Sequence, residues 1–269
     1  MDTPAVRHNY TSGSTGERLH YLDFGGSGTP LIAMHGVIGN GWNWYALAAG
    51  IGSGHRVLGL DYAGYGESQW SGTHDYNSTR FAADLGAMID ERGDAVVDLI
   101  GSSWGALVAI QYAAANPGRV GRLVVVDVEP SFSQGEDELY PRPRTYADMD
   151  EVRADVVQGF PNAPEAMVEL TAQTGYAPSD GGGFTIKHDP FFFDRWPFRS
   201  DDHWERLGQL TCPTLYVHAA DSFVSGEVMR EMASKTANAE FAEVAPSTHV
   251  IPIDNPDGLL EVVRPFLDA

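Results

Sequence analysis

The chain has 269 residues, which is enough for one large α/β domain with a full hydrophobic core. Hydrophobic residues make up 43% of the chain and aromatic residues 11%, as in typical globular proteins, and no apolar stretch is long enough to span a bilayer. The formal charge of -20, from 37 acidic and 17 basic residues, argues against nucleic acids and anionic membranes as partners.

Strand-like and helix-like segments alternate along the first half of the chain. Short apolar runs predict strands at residues 7–11, 18–24, 30–34, 56–60, 95–100 and 123–128. Helical patterns lie between several of these strands, for example at residues 78–91 and 106–115. Such alternation predicts an α/β fold with a mostly parallel sheet that is covered by helices on both faces.

The most informative motif is Gly101-Ser102-Ser103-Trp104-Gly105, between the strand predicted at 95–100 and the helix that follows. With 30 glycines in the chain, a G-x-S-x-G match alone is a weak signal, so the strand and helix around it matter. A serine on a tight strand-to-helix turn has a strained backbone, and only small residues fit two positions to either side. The motif therefore predicts an exposed Ser103 hydroxyl that can act as a nucleophile.

The alternation stops at about residue 130, in a stretch with many prolines and some helical patterns. A loop of that length is improbable unless it has its own structure. We therefore predict a core domain of residues 1–129 and 207–269 and a helical cap of residues 130–206. Strands at 214–218 and 240–244 bring the predicted number to eight.

A serine nucleophile needs a base, and the base needs a carboxylate to orient it. His249 lies just beyond the strand predicted at 240–244, and Asp221 lies just beyond the strand at 214–218. Asp127, at the end of the strand at 123–128, is a competing acid, and Glu129 is a weaker one. The carboxyl ends of parallel strands meet at one edge of a sheet, so each of these side chains could reach Ser103.

These motifs, together with His35-Gly36 and the turn Asp61-x-x-Gly64-x-Gly66-x-Ser68, resemble the α/β-hydrolase family from about residue 17 to the C-terminus. The chain looks most like the lid-bearing subgroup that contains carbon–carbon bond hydrolases, epoxide hydrolases and haloperoxidase-like esterases and lactonases. The resemblance implies the α/β-hydrolase fold, with a mostly parallel eight-stranded sheet, flanking helices and an inserted helical cap.

The resemblance also implies roles for individual residues. Ser103 matches the nucleophile, His249 the general base and Asp221 the acid, while the backbone N–H groups of Val37 and Trp104 match the oxyanion hole. We favour Asp221 over Asp127 as the acid because it precedes His249 by 28 residues, much as in the carbon–carbon hydrolases. His35 is expected to organise the oxyanion turn through hydrogen bonds.

A serine at the nucleophile position favours acyl transfer to water over the alkyl-enzyme chemistry that an aspartate would support. The predicted function is a serine hydrolase that cleaves an ester, lactone or activated carbon–carbon bond through an acyl-enzyme. Trp42 and Trp104 favour a small to medium, largely apolar or aromatic substrate bound between core and cap. The alternatives are a cofactor-free oxygenase or lyase that uses the His–Asp pair as base, and a ligand receptor that retains the triad.

The remaining predictions concern cofactors, partners and location. No cluster of His, Cys, Asp and Glu has the spacing of metal ligands, and no cofactor is expected. The single cysteine, Cys212, cannot form an internal disulfide, and the N-terminus lacks the pattern of a signal peptide. We expect a cytoplasmic protein whose partner is a small-molecule substrate, and the sequence leaves its oligomeric state open.

Overall fold

A computed structural model describes residues 6–131, 143–195 and 202–269. The described strands are β1 (Arg7–Ser12), β2 (Arg18–Asp23), β3 (Pro30–Met34), β4 (Arg56–Leu60), β5 (Val97–Ser102), β6 (Val120–Val126), β7 (Tyr176–Pro178), β8 (Phe184–Ile186), β9 (Thr214–Ala219) and β10 (Ala239–Val244). The α-helices are α1 (Tyr45–Gly50), α2 (Ser78–Arg92), α3 (Trp104–Ala115), α4 (Met149–Gly159), α5 (Glu165–Gly175), α6 (Phe191–Asp194), α7 (Trp204–Leu207), α8 (Gly226–Lys235), α9 (Ile251–Asp254) and α10 (Pro256–Asp268). A 3₁₀ helix, Gly41–Trp44, precedes α1.

Eight strands form one sheet in the order β1-β2-β4-β3-β5-β6-β9-β10. The pairs β1–β2 and β2–β4 are antiparallel, and all the other pairs are parallel. The central strand β5 is buried along its whole length, as expected for a parallel strand that is covered on both faces. The prediction of a mostly parallel eight-stranded sheet with flanking helices is therefore confirmed.

Helices cover the two faces of the sheet, and side chains alternate between two hydrophobic clusters. Ile32 and Met34 of β3 join a cluster that includes residues of α2, α3 and α8. Leu31 and Ala33 of the same strand join a second cluster with residues of α1 and α10. This alternation follows from the two-residue period of a strand, and it fixes β3 and β5 firmly between two layers of helices.

Residues 143–195, which we call the cap segment, lie outside the main sheet. Helices α4 and α5 pack around a small hydrophobic cluster of their own, and β7 and β8 form a separate two-stranded hairpin. The cap segment is held to the core by backbone hydrogen bonds from Gly66 N to Lys187 O (2.9 Å) and from Asp189 N to Gly64 O (2.7 Å). The predicted division into a core of 1–129 and 207–269 and a cap of 130–206 remains a prediction.

Candidate active site

Ser103 lies on a sharp turn between β5 and α3. Its backbone has φ 54° and ψ -124°, a left-handed conformation that is strained for a residue with a side chain. A Cβ atom on Gly101 would lie 2.3 Å from Gly105 O, and one on Gly105 would lie 2.3 Å from Met34 O. The two glycines of the motif are therefore required by close backbone contacts, as the sequence predicts.

His249 connects the Ser103 hydroxyl to a buried carboxylate. It lies in the loop between β10 and α9, and its Nε2 atom is 2.9 Å from Ser103 Oγ. Its Nδ1 atom is 2.7 Å from Asp127 Oδ2. Because a carboxylate only accepts hydrogen bonds, Nδ1–H donates to Asp127, and this leaves Nε2 free to accept the Ser103 proton.

The acid in contact with His249 is Asp127, and the expectation that Asp221 occupies this position is wrong for this structure. The Asp221 side chain is exposed, and its backbone N–H donates to Ser247 O at 2.9 Å. Sheet order explains the difference, because β6 pairs directly with β5 whereas β9 lies one strand further away. Ser102 pairs with Val126, so Ser103 and Asp127 each follow a paired residue at the same edge of the sheet.

Asp127 is fully buried and accepts three hydrogen bonds. Besides His249, Ala219 N donates to Oδ1 at 2.8 Å and Ser222 Oγ donates to Oδ2 at 2.5 Å. These donors satisfy a carboxylate that burial would otherwise destabilise, and they fix its orientation. Ser222 is not among the residues predicted from the sequence, and its position in the loop after β9 is the only signal that points to it.

Phe223 covers the outer side of the imidazole. Its ring centroid lies 4.4 Å from that of His249, and the residue is 74% exposed. This contact places an apolar surface at the edge of the candidate site.

His35 organises the turn that follows β3. Its Nδ1–H donates to Gly36 O at 2.6 Å, and Nε2 accepts a hydrogen bond from Tyr62 N at 3.4 Å. Complete burial lowers the pKa of His35 to about 4, so the ring is neutral at pH 7 and suits this pattern of one donor and one acceptor. The turn lies against the nucleophile, since a Cβ on Gly36 would be 3.2 Å from Ser103 Cβ.

The two backbone donors predicted for an oxyanion hole belong to the turns that hold His35 and Ser103. Val37 follows Gly36 in the His35 turn, and Trp104 is the first residue of α3, so its N–H belongs to the first helical turn. Their role in binding an oxyanion remains a prediction. The Trp104 side chain is buried in the core and donates from Nε1 to Ser78 Oγ at 2.8 Å, so it is not among the described residues that line the cavity.

A cavity of about 280 Å³ lies between the core and the cap segment. On the core side it is lined by Ile38 and Val250, which directly follow Val37 and His249, and also by Trp42. Side-chain amides and hydroxyls supply much of its remaining surface, including those of Asn43 and Thr171. The cavity is thus more polar than the largely apolar pocket that the sequence suggests.

No helix in the described part of the chain is both long and apolar enough to cross a membrane. No group of three or more His, Cys, Asp and Glu side chains among the described residues is arranged to hold a metal ion.

The sheet, the strained serine turn and the Ser–His–Asp contacts define a protein of the α/β-hydrolase class. A family model described as alpha/beta hydrolase fold matches residues 29–163, slightly more than half of the chain. The chain therefore belongs to the α/β-hydrolase family.

Similar proteins span nearly the whole chain at modest identity. An esterase of Mycobacterium tuberculosis is 29% identical over 92% of this chain and 86% of its own length. The 2-(acetamidomethylene)succinate hydrolase of Mesorhizobium japonicum is 25% identical over 91% of this chain and 90% of its own length. Among solved structures, the thioesterase domain from the curacin biosynthetic pathway has a TM-score of 0.82 at 20% identity, covering 96% of this chain and 99% of that domain, and this likeness concerns the fold alone.

Proposed function

We propose that this protein is a serine hydrolase that cleaves an ester, a lactone or an activated carbon–carbon bond through an acyl-enzyme. One observation carries the proposal: Ser103, His249 and Asp127 form a continuous hydrogen-bonded chain with distances of 2.9 and 2.7 Å. A serine hydroxyl becomes a useful nucleophile when an adjacent base takes its proton, and this arrangement supplies that base.

In the first half of the reaction, Ser103 Oγ attacks the carbonyl carbon of the substrate while its proton moves to His249 Nε2. The imidazolium that forms is stabilised by the ionised Asp127, which stays unprotonated. Negative charge develops on the carbonyl oxygen, and the backbone N–H groups of Val37 and Trp104 donate hydrogen bonds to it. His249 then gives its proton to the leaving group, and the acyl-enzyme remains.

In the second half, a water molecule attacks the acyl-enzyme as His249 takes one of its protons. The tetrahedral intermediate collapses, the acid product leaves, and the proton returns to Ser103 Oγ. Burial of Asp127 strengthens this step, because its charge acts on the imidazolium through a medium with little water. The same three residues thus serve both halves of the cycle.

The relatives favour hydrolysis over the other chemistries of this fold, since those reported above carry the names esterase and hydrolase. Fold alone does not determine the reaction, so the argument depends on the site. A serine in the strained turn, in contact with a histidine, fits acyl transfer better than a reaction in which the His–Asp pair acts alone.

The test compares wild type, Ser103→Ala and Ser102→Ala on a series of p-nitrophenyl acyl esters. Ser102 is the matched control, because it is the adjacent serine and its buried Oγ has no hydrogen-bond partner among the described residues. Ser103→Ala is expected to lower kcat/KM by about 10⁴- to 10⁶-fold, whereas Ser102→Ala changes it little.

Oxygen consumption measured in parallel separates the proposal from its alternatives. Hydrolysis without oxygen uptake supports the serine hydrolase. Product formation that consumes oxygen and persists in Ser103→Ala would contradict the serine hydrolase and support an oxygenase. Ligand binding without any turnover would contradict it and support a receptor.

A further inference from the structure

We propose that the cavity between the core and the cap segment binds a cationic N–H group of the substrate, such as an alkylammonium, and that Asp155 selects it. The inference rests on the proposed function, since it names a group carried by the substrate that Ser103 would cleave. A substrate with a cationic group differs from the largely apolar or aromatic substrate that the sequence favours.

Ser103, His249 and Asp127 do not line the cavity, and its link to the candidate active site is through residues next to them in the chain. Ile38 and Val250 lie on its wall and are the chain neighbours of Val37 and His249. The proposed substrate therefore has two parts: a carbonyl that is held at Ser103 and a second group, joined to it by a short chain, that binds in this cavity. The cavity volume of about 280 Å³ suits such a substituent, because ligand sites for whole drug-sized molecules begin at roughly that size.

Charge is the strongest argument for the class of ligand. Among the described residues that line the cavity, Asp155 is the only carboxylate, and none is Lys, Arg or His. A substrate carboxylate placed there would meet a like charge with no cation to compensate it. An ammonium would instead find the counterion that it needs when it leaves water.

Asp155 is held in place by neutral donors and keeps its charge available. Tyr146 Oη donates to Oδ2 at 2.8 Å, and Tyr176 Oη lies 3.4 Å from the same oxygen. Oδ1 has no hydrogen bond to a described residue, and no described cation pairs with the carboxylate. The cation nearest along the chain, Arg153, pairs with Asp150 and Glu169 instead.

The Tyr146 hydroxyl stays protonated across the working pH range. Burial, followed by the charges and hydrogen bonds of Tyr176 and Asp155, raises the pKa of Tyr146 well above its usual value. Tyr146 therefore remains a neutral donor and fixes the Asp155 carboxylate without neutralising it.

The rest of the wall also suits a cation. Trp42, Phe160 and Tyr176 contribute aromatic surface, which attracts ammonium groups through the ring quadrupole. Asn43 and Thr171 add side-chain oxygens that can accept N–H hydrogen bonds. The formal charge of -20 on the chain adds a long-range attraction for cations and a repulsion for anions.

The experiment measures binding rather than turnover. The Ser103→Ala protein is titrated calorimetrically with n-pentylammonium, 1-pentanol and n-pentanoate, three ligands of equal chain length and different charge. We expect n-pentylammonium to bind about tenfold more tightly than 1-pentanol, and n-pentanoate to bind most weakly.

Two variants made on this background locate the effect. Asp155→Asn keeps an oxygen that can accept the Tyr146 hydrogen bond and is expected to remove the advantage of n-pentylammonium while leaving 1-pentanol binding unchanged. Asp150→Asn removes the same charge from the exposed side of α4, where Asp150 is 91% exposed, and is expected to change neither.

The proposal is wrong if n-pentanoate binds as tightly as n-pentylammonium, or if Asp155→Asn and Asp150→Asn weaken ammonium binding equally. Should Asp155→Asn fail to fold, the comparison of the three ligands on Ser103→Ala alone still decides the charge preference. A failure of this kind leaves ester hydrolysis by the wild type unaffected, so it is distinguishable from a failure of the proposed function.

Discussion

Asn162 of the cap segment donates two hydrogen bonds to Asp254 of the core. Its backbone N lies 2.8 Å from Asp254 Oδ1, and its side-chain Nδ2 lies 2.9 Å from Oδ2. Asp254 is fully buried and also accepts from Thr248 N at 2.6 Å and Thr248 Oγ1 at 3.0 Å. Since Thr248 directly precedes His249, one carboxylate connects the position of the cap segment to the position of the candidate base.

Replacing Asp254 with Asn should therefore lower kcat, because the loop that holds His249 loses an acceptor. We expect a decrease of about tenfold to a hundredfold, as small displacements of a catalytic group have effects of that size. Steady-state kinetics over a range of pH measures it, and Asp257→Asn, an exposed neighbour on α10, is the matched control. An unchanged kcat and pH profile in folded Asp254→Asn would show that Asp254 does not position His249.

The assignment of the acid predicts unequal effects of two conservative substitutions. Asp127→Asn should lower kcat by about 10³- to 10⁴-fold, because an amide cannot hold His249 in the tautomer that accepts the Ser103 proton. Asp221→Asn should change kcat by less than about twofold, since exposed side chains away from the reacting groups rarely matter. Measured kcat values for the two variants decide between them, and the reverse order would restore Asp221 as the acid.

A single methyl group added at Gly105 should strongly destabilise the fold, because the turn that holds Ser103 is closely packed. Gly105→Ala places a Cβ 2.3 Å from Met34 O, a backbone atom that cannot move without shifting β3. We expect a loss of several kcal/mol in the free energy of unfolding, of order 3 kcal/mol or more, measured by urea denaturation. Gly181→Ala is the control, since a Cβ there has no atom within 4 Å and the backbone φ is not positive. Equal stability of the two variants would contradict the close packing of the turn.

The buried His35 should make the free energy of unfolding depend on pH. Its folded-state pKa of about 4 lies below the ordinary value of 6.5, so in this range the unfolded chain binds more protons than the folded one. Stability contributed by neutral His35 is present above pH 6.5 and is lost as the pH falls toward 4, by about 2 kcal/mol between pH 7 and pH 5.

The variant His35→Gln isolates this contribution from that of other groups. Chemical denaturation at pH 7 and pH 5 gives the free energy of unfolding for both proteins, and the stability advantage of the wild type should shrink by about 2 kcal/mol at the lower pH. An advantage that is the same at both pH values would show that His35 is not buried in its neutral form.

The sequence predicts some parts of the site well and others poorly, for physical reasons. The turn at Ser103 depends on local sterics, so Gly101 and Gly105 reveal it directly. The acid depends on which strands are neighbours, and spacing along the chain does not contain that information. Both Asp127 and Asp221 follow strands, but only Asp127 follows the strand that pairs with β5. The position of Asp127 at the end of β6 pointed to the acid. The separation of 28 residues along the chain between Asp221 and His249 pointed to the wrong residue.

The cavity was the hardest feature to predict. Its polar lining combines Asn43 of the 3₁₀ helix with Asp155 of α4 and Thr171 of α5, which come together only when the cap segment packs on the core. Periodicity identifies α4 and α5 as helices but gives no information on which of their side chains face the core. The apolar substrate inferred from Trp42 and Trp104 was based on residue type, and Trp104 is buried in the core instead.

Covalent labelling by a fluorophosphonate, followed by peptide mass spectrometry, tests the central claim most directly. We predict one adduct per chain, on Ser103, with the rate of labelling strongly reduced in His249→Ala and unchanged in Ser102→Ala. A protein that is not labelled, or one labelled equally well after Ser103→Ala, would contradict the assignment of Ser103 as a nucleophile activated by His249.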